Sequence, residues 1–189
     1  MAAVRILSIF MLSLLLLFIL SCDSDSPVQT PDEISINASK ISECGGFTSA
    51  VKRMDTGIPF TIDPSTYCNA ERLHWLYDEN TRTLSVLNSR ILLNCCGDHT
   101  ITAALEKGVL VIAEDDQPEG GTGRCKCVCV FDFFVEITGI FPGIITLKLD
   151  LTVDDTTVTK WEGKIDLGKG NGEIIIDDKV VEDCNTMGV

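Results

Sequence analysis

Cysteine is the residue type with the most scope for chemistry in this 189-residue chain, which holds nine of them. Three alternate at Cys125, Cys127 and Cys129, and an adjacent pair lies upstream at Cys95 and Cys96. Sulfur at these spacings has two main uses, which are oxidation to disulfide bonds and binding of soft metal ions as thiolates. The other cysteines are Cys22, Cys44, Cys68 and Cys184.

The disulfide interpretation is favoured by the alternation of the three cysteines. In an extended strand, side chains two residues apart point the same way, so these sulfurs cannot easily bond to one another. We expect one or two of them to bond to the adjacent upstream pair, and the rest to pair among the outlying cysteines. Without Cys22, which ends the amino-terminal apolar run, an even number remains, as in the disulfide frameworks of exported proteins. The disulfide candidates are Cys44, Cys68, Cys95, Cys96, Cys125, Cys127, Cys129 and Cys184.

The alternative is a soft-metal protein that binds or carries copper or zinc. Cys95, Cys96, His99 and the three alternating cysteines would supply thiolates and one imidazole for Cu(I) or Zn(II). Zinc sites favour two or more residues between ligands, and thiolates outside the cytosol are oxidised unless they already hold metal. A redox-active dithiol is also disfavoured, because the chain has no Cys-x-x-Cys motif. We therefore predict no metal and no cofactor.

The material for enzyme catalysis is sparse. His74 and His99 are the two histidines, and no Gly-x-Ser-x-Gly motif accompanies them. Runs of acidic residues at 114–116, 154–155 and 177–178 fall at expected strand ends or turns, where carboxylates are usually solvated. Residues 166–173 alternate glycine but lack the carboxylates of a calcium loop, so they favour a hairpin turn. These patterns predict a protein that is not an enzyme and has no catalytic residue.

The amino terminus has the pattern of an export signal. Arg5 precedes an apolar run at residues 6–20. The run ends in Ile19-Leu20-Ser21-Cys22, which resembles the lipobox of bacterial lipoproteins. This resemblance implies a signal peptide at 1–21, lipidation of Cys22, and a cell-envelope location on a membrane, facing the periplasm or the exterior. A secretory peptide cut elsewhere and an uncut anchor are the alternatives.

Composition after the signal predicts a tether and an acidic domain. Residues 22–43 are rich in Ser, Asp, Pro and Thr, so we expect a flexible tether that leads to a single domain at 44–189. Without Arg5, 14 basic residues face 28 acidic ones, a net charge of −14. This charge disfavours nucleic acid and anionic lipid surfaces as partners, which leaves the lipid anchor as the membrane attachment.

Hairpins dominate the first half of the predicted domain. Segments 72–77 and 83–87 flank a polar turn, and the alternation of the second falters near 88–90, where we expect a bulge. Segments 100–105 and 109–114 form the next predicted hairpin. We find no internal repeat in the chain.

The second half continues the pattern of short strands. An acidic loop at 115–123 leads into a predicted strand from Cys125 to Thr138, with one apolar face and one mixed, partly wet face. A strand at 145–153 follows, and then a hairpin of 158–167 with 173–181. These elements predict an all-β fold, an antiparallel β-sandwich of immunoglobulin-like type or a flattened barrel.

Part of this pattern resembles a known group. Asn94-Cys95-Cys96, the strand that ends in Glu114, Cys125-x-Cys-x-Cys-x-Phe-Asp and the turn with Pro142-Gly143 together resemble an uncharacterised group of bacterial exported proteins and lipoproteins. The resemblance covers about a third of the chain and implies a small secreted β domain, without an activity. We predict a binding or interaction module with an unknown protein or small-ligand partner, contacted through end loops such as 115–123.

Overall fold

The computed structural model describes residues 34–47, 57–121, 123–182 and 184. The predicted signal peptide at 1–21 and the lipidated Cys22 lie outside these residues. Within them, no helix is long and apolar enough to cross a lipid bilayer.

The described residues form two β-sheets with one short helix. The five-stranded sheet has the order β1-β6-β3-β2-β9, and the four-stranded sheet has the order β4-β5-β7-β8. The elements are β1 (Ser35–Ile41), α1 (Pro64–Tyr67), β2 (Glu71–Asp78), β3 (Thr83–Asn94), β4 (Gly97–Glu106), β5 (Val109–Pro118), β6 (Val128–Thr138), β7 (Ile144–Val153), β8 (Thr156–Asp166) and β9 (Asn171–Asp177).

One apolar core joins the two sheets. Leu73, Val86 and Phe133 of the five-stranded sheet pack in the same cluster as Ile112 and Leu149 of the four-stranded sheet. In β2 and β5 buried residues alternate with half-buried ones, as expected for strands with one face toward a core. The predicted β-sandwich is therefore confirmed, and it is not a closed barrel.

The hairpins of the first half are confirmed, whereas the last one is wrong. β2 pairs with β3, β4 pairs with β5, and the β3–β6 register shifts between Asn88 and Ile91, where the bulge was predicted. β8 instead pairs with β7, and β9 pairs with β2 in the other sheet. The 3-10 turn Leu167–Lys169 thus leads the chain from one sheet to the other.

The prediction of purely antiparallel sheets misses one pair. β5 and β7 run parallel, because β6 lies between them in sequence but belongs to the opposite sheet. The four-stranded sheet is therefore mixed.

Two loop predictions are wrong. The predicted tether at 22–43 ends too late, because Ser35–Ile41 form β1 and pair with β6. The predicted loop at 115–123 begins too early, because β5 continues to Pro118 opposite β4. In both cases pairing with a neighbouring strand stabilises a segment whose polar composition favours a loop.

Both faces of β6 are buried over most of its length. The outer-facing Val130, Asp132 and Phe134 are at most 1% exposed, although this face was predicted to be partly wet. A second cluster covers Val130 with Tyr67 from α1 and with Cys184. The five-stranded sheet is thus covered on one face by the other sheet and on part of its outer face by loops.

Candidate binding groove and disulfide cluster

All eight disulfide candidates are described, and they pair into four bonds. The pairs are Cys44–Cys129, Cys68–Cys184, Cys95–Cys127 and Cys96–Cys125, with Cα–Cα distances of 5.5, 5.8, 5.4 and 5.7 Å. The adjacent upstream pair thus bonds to two of the three alternating cysteines, as the spacing predicted. The connectivity itself follows from the register of β3 and β6, which sequence does not give.

The three alternating cysteines do not share one core-facing row. β6 begins at Val128, so Cys125 and Cys127 precede the strand, and Cys127 is exposed while Cys129 is buried. The Cys95 amide donates to the Cys127 carbonyl at 3.2 Å, which extends the β3–β6 ladder by one bond. The Sγ atoms of Cys44, Cys95 and Cys129 lie within 4.8 Å of one another.

This sulfur group bears on the soft-metal alternative. Thiolates, not disulfide sulfurs, are the metal ligands of cysteine. Because all eight cysteines are bonded in pairs, a metal would bind here only after at least one disulfide is reduced.

His99, the remaining predicted ligand, makes other contacts. Its ring packs against that of Phe131, tilted by 54° with centroids 4.3 Å apart, and its Nε2 atom lies 3.2 Å from Asp116 Oδ1. Burial lowers the pKa of His99, and the neighbouring Asp116 carboxylate opposes this shift. Arg124 also contacts Asp116 through its Nη2 atom, 2.6 Å from the Asp116 carbonyl oxygen. These three side chains pack directly against Gly97. A Cβ atom at this position would lie 1.9 Å from Asp116 Oδ1, so only glycine leaves room for them.

Asp132 is a buried acceptor that sequence analysis missed. Its Oδ1 atom accepts hydrogen bonds from the Tyr67 hydroxyl at 2.7 Å and the Arg90 amide at 2.9 Å, and its Oδ2 atom accepts one from the Phe47 amide at 2.7 Å. Arg90 has a φ of 67° at the bulge of β3, so its amide leaves the ladder and points at this carboxylate. Burial raises the pKa of Asp132, and the three donors oppose this shift. The carboxylate thereby joins α1, the bulge of β3 and the segment at Phe47 to the outer face of β6.

A second buried polar group lies between the sheets. Asn88 Nδ2 donates to Glu71 Oε1 at 3.3 Å and to Glu114 Oε2 at 3.1 Å, and Lys160 Nζ donates to Glu71 Oε2 at 2.9 Å. Glu114 is 1% exposed, and burial raises its pKa to about 8. Its Oε1 atom accepts no hydrogen bond from the described residues, which suits a protonated side chain. Glu71 and Glu114 occupy inward positions of their strands, a sequence signal that we did not use.

Glu114 makes the stability of the fold depend on pH. Its pKa is raised from 4.5 to about 8 on folding, so the folded chain binds the extra proton and stability falls as pH rises toward 8. From pH 7 to pH 8 we expect a loss of about 1 kcal/mol in the free energy of unfolding. Glu114→Gln, which cannot ionise, should abolish this loss in denaturant unfolding curves at the two pH values.

The matched control for this measurement is Glu162→Gln on exposed β8, which should keep the wild-type pH dependence. Burial lowers the pKa of both histidines, so their titration opposes this loss, and it is common to the wild type and both variants. Equal pH slopes for Glu114→Gln and wild type would contradict a protonated Glu114.

The exposed part of the five-stranded sheet bears two adjacent depressions. They lie on either side of Pro59, share Leu76, and have volumes of about 410 and 490 Å³. We call the pair the outer groove. The smaller depression is lined by Pro59, Phe60, His74, Trp75, Leu76, Asn171, Gly172 and Glu173. The larger is lined by Asn37, Pro59, Leu76, Asp78, Thr81, Thr83, Ser85, Glu136 and Thr138.

The two depressions differ in chemistry. In the smaller one, Glu173 pairs with Arg72 and lies 3.3 Å from His74 Nδ1, while His74 Nε2 lies 3.3 Å from Ser89 Oγ. Burial lowers the pKa of His74. The larger depression presents four hydroxyl side chains, one amide and two carboxylates. Thr138 Oγ1 already donates to Asn37 Oδ1 at 3.3 Å, and Thr83 Oγ1 donates to the Thr81 carbonyl at 3.4 Å. Their remaining lone pairs and the two carboxylates can still accept hydrogen bonds from a ligand.

The other acidic runs have structural roles. Asp154 and Asp155 adopt positive φ values of 48° and 64° in the turn between β7 and β8, a conformation that Asp tolerates. Asp166, in the glycine-alternating segment 166–173, accepts a hydrogen bond from the Gly168 amide at 3.0 Å and thereby caps the 3-10 turn.

No family model, no curated protein and no solved structure matches this chain.

Proposed function

We propose that this protein is an exported, lipid-anchored binding module of the cell envelope, and that its ligand binds in the outer groove. The observation that carries the proposal is the larger depression, with its cluster of polar side chains on an exposed sheet face. Four disulfides suit a domain that works in an oxidising compartment. The apolar run before Cys22 and its lipobox pattern support attachment through a lipid.

The lining indicates the class of ligand. Hydroxyl and amide side chains both donate and accept hydrogen bonds, and carboxylates only accept them. Asp78 and Glu136, together with an acidic chain, repel anions and favour a ligand rich in hydroxyl donors. A volume of about 490 Å³ accommodates a short oligosaccharide, and Pro59 and Leu76 offer apolar contact for a sugar ring. We therefore propose a neutral oligosaccharide as the ligand.

A charge reversal in the groove tests this proposal. The full chain in detergent is screened on an array of neutral oligosaccharides, and the best binder is titrated by calorimetry. Glu136→Arg fills the larger depression and replaces an acceptor with a donor, so we expect it to weaken binding at least about ten-fold, or about 1.4 kcal/mol.

Glu162→Arg is the matched control, because it makes the same charge change on exposed β8 of the other sheet and should leave affinity unchanged. The proposal would be wrong if no oligosaccharide binds, or if both variants weaken binding equally.

A further inference from the structure

Two disulfides lie side by side at one end of β3 and β6. Cys95 stands opposite Cys127, and Leu93, two residues before it, stands opposite Cys129. Cys95 and Cys129 are thus diagonal neighbours on one face of the strand pair, the face that packs on the core. The Sγ atom of Cys95 lies within 4.8 Å of both sulfurs of the Cys44–Cys129 bond.

Exposure differs along this group. Cys127 is exposed, Cys95 and Cys44 are half-buried, and Cys129 is 1% exposed. A reductant from solution therefore reaches the Cys127 sulfur before the Cys44–Cys129 bond. Exposed Lys126 stands next to Cys127 and attracts an incoming thiolate.

We propose that these two disulfides form a thiol–disulfide exchange site, which accepts two electrons from an external dithiol at Cys127. The Cys95 thiolate that is released there then opens the Cys44–Cys129 bond. Exchange needs a thiolate close to a disulfide sulfur, and Cys95 meets this condition once its own bond is broken. Neither sulfur of the third bond in this region, Cys96–Cys125, belongs to the group formed by the Sγ atoms of Cys44, Cys95 and Cys129.

The steps balance as follows. One thiolate of the dithiol attacks Cys127 Sγ, the Cys95–Cys127 bond breaks, and Cys95 leaves as a thiolate. Cys95 then attacks one sulfur of Cys44–Cys129, bonds to it, and releases the other as a thiolate. The second thiol of the dithiol displaces Cys127 and leaves as an oxidised disulfide. The dithiol loses two electrons and two protons, and the protein holds one crossed disulfide at Cys95 in place of two native ones.

Single substitutions separate this exchange from independent reduction. In the full chain, Cys127→Ser frees Cys95 inside the sulfur group, whereas Cys95→Ser frees Cys127, which is not a member of it. After quenching with acid and alkylation, peptide mapping of Cys127→Ser should show a crossed Cys95–Cys44 or Cys95–Cys129 bond in at least about a tenth of the molecules. Cys95→Ser should keep native Cys44–Cys129 and an alkylated Cys127.

A kinetic measurement gives a second test on the wild-type chain. With limiting dithiothreitol, the crossed bond should appear, and Cys44–Cys129 should open at least about ten-fold faster than in Cys95→Ser/Cys127→Ser. Cys96→Ser/Cys125→Ser is the control, and it should open Cys44–Cys129 at the wild-type rate. Equal opening rates with and without Cys95, or a Cys127→Ser protein in which Cys95 is wholly alkylated beside an intact Cys44–Cys129, would overturn the proposal.

Discussion

Cys68→Ala/Cys184→Ala is expected to lower the free energy of unfolding by about 4.5 kcal/mol. This bond joins residues 116 positions apart, more than any other disulfide of the chain. With the other three bonds intact, the shortest covalent path between its ends runs through Cys44–Cys129 and spans about 80 residues. Loss of this bond therefore releases a long loop in the unfolded chain and loosens the cover that position 184 provides for Tyr67 and Val130.

Cys96→Ala/Cys125→Ala is the control for this prediction. Neighbouring Cys95–Cys127 already holds the same two segments together, so the bond closes a path of only about three residues and its loss should cost less than about 2 kcal/mol. Guanidinium unfolding of the full-length variants, followed by the fluorescence of Trp75 and Trp161, which both pack at the core, measures both values. Equal costs for the two pairs would contradict the path-length argument.

Asp132→Ala should be almost as costly, at about 3–5 kcal/mol. The substitution leaves the Tyr67 hydroxyl and the backbone amides of Arg90 and Phe47 without their acceptor. Each of these donors then loses a hydrogen bond in a place that water does not easily reach, so α1 and the Phe47 segment should loosen from β6, and the bulge at Arg90 should lose its anchor. Protection of the Arg90 and Phe47 amides against hydrogen exchange reports this detachment directly.

Tyr67→Phe provides the graded comparison. It removes one donor and leaves Asp132 with two, so we expect a cost of about 1–2 kcal/mol. Asp178→Ala, at an exposed position, should change stability by less than about 0.5 kcal/mol. A cost for Asp132→Ala no larger than that of Tyr67→Phe would show that the carboxylate does not hold these three segments together.

Local patterns in the sequence predicted the local part of the fold. The β2–β3 and β4–β5 hairpins and the bulge before Ile91 each depend on residues close in sequence, and all three were predicted. The partner of β9 was not predicted. The residues near the turn before β9 are compatible both with a hairpin to β8 and with a crossing to β2. The parallel pairing of β5 with β7 depends on where β6 packs, which is a tertiary property.

The candidate site shows the same division. The cysteine spacing predicted bonds from Cys95 and Cys96 to the alternating cysteines, but the choice of partner depends on strand register. Asp132 lies between Val130 and Phe134 on the face of β6 that the sequence predicts to be partly wet. The two apolar neighbours already favour burial of that face. The outer groove could not be predicted from the sequence, because it joins side chains from β1, β2, β3, β6 and β9.

The order of the four disulfides along the chain has a consequence for biogenesis. If the chain is exported as proposed, it emerges amino terminus first, so Cys44, Cys68 and Cys95 would reach the oxidising side well before Cys129, Cys184 and Cys127, their respective partners. Oxidation at that stage would join early cysteines to one another in bonds that the finished fold lacks. Maturation of this protein should therefore need a disulfide isomerase, and cells without one should accumulate mispaired, protease-sensitive chains.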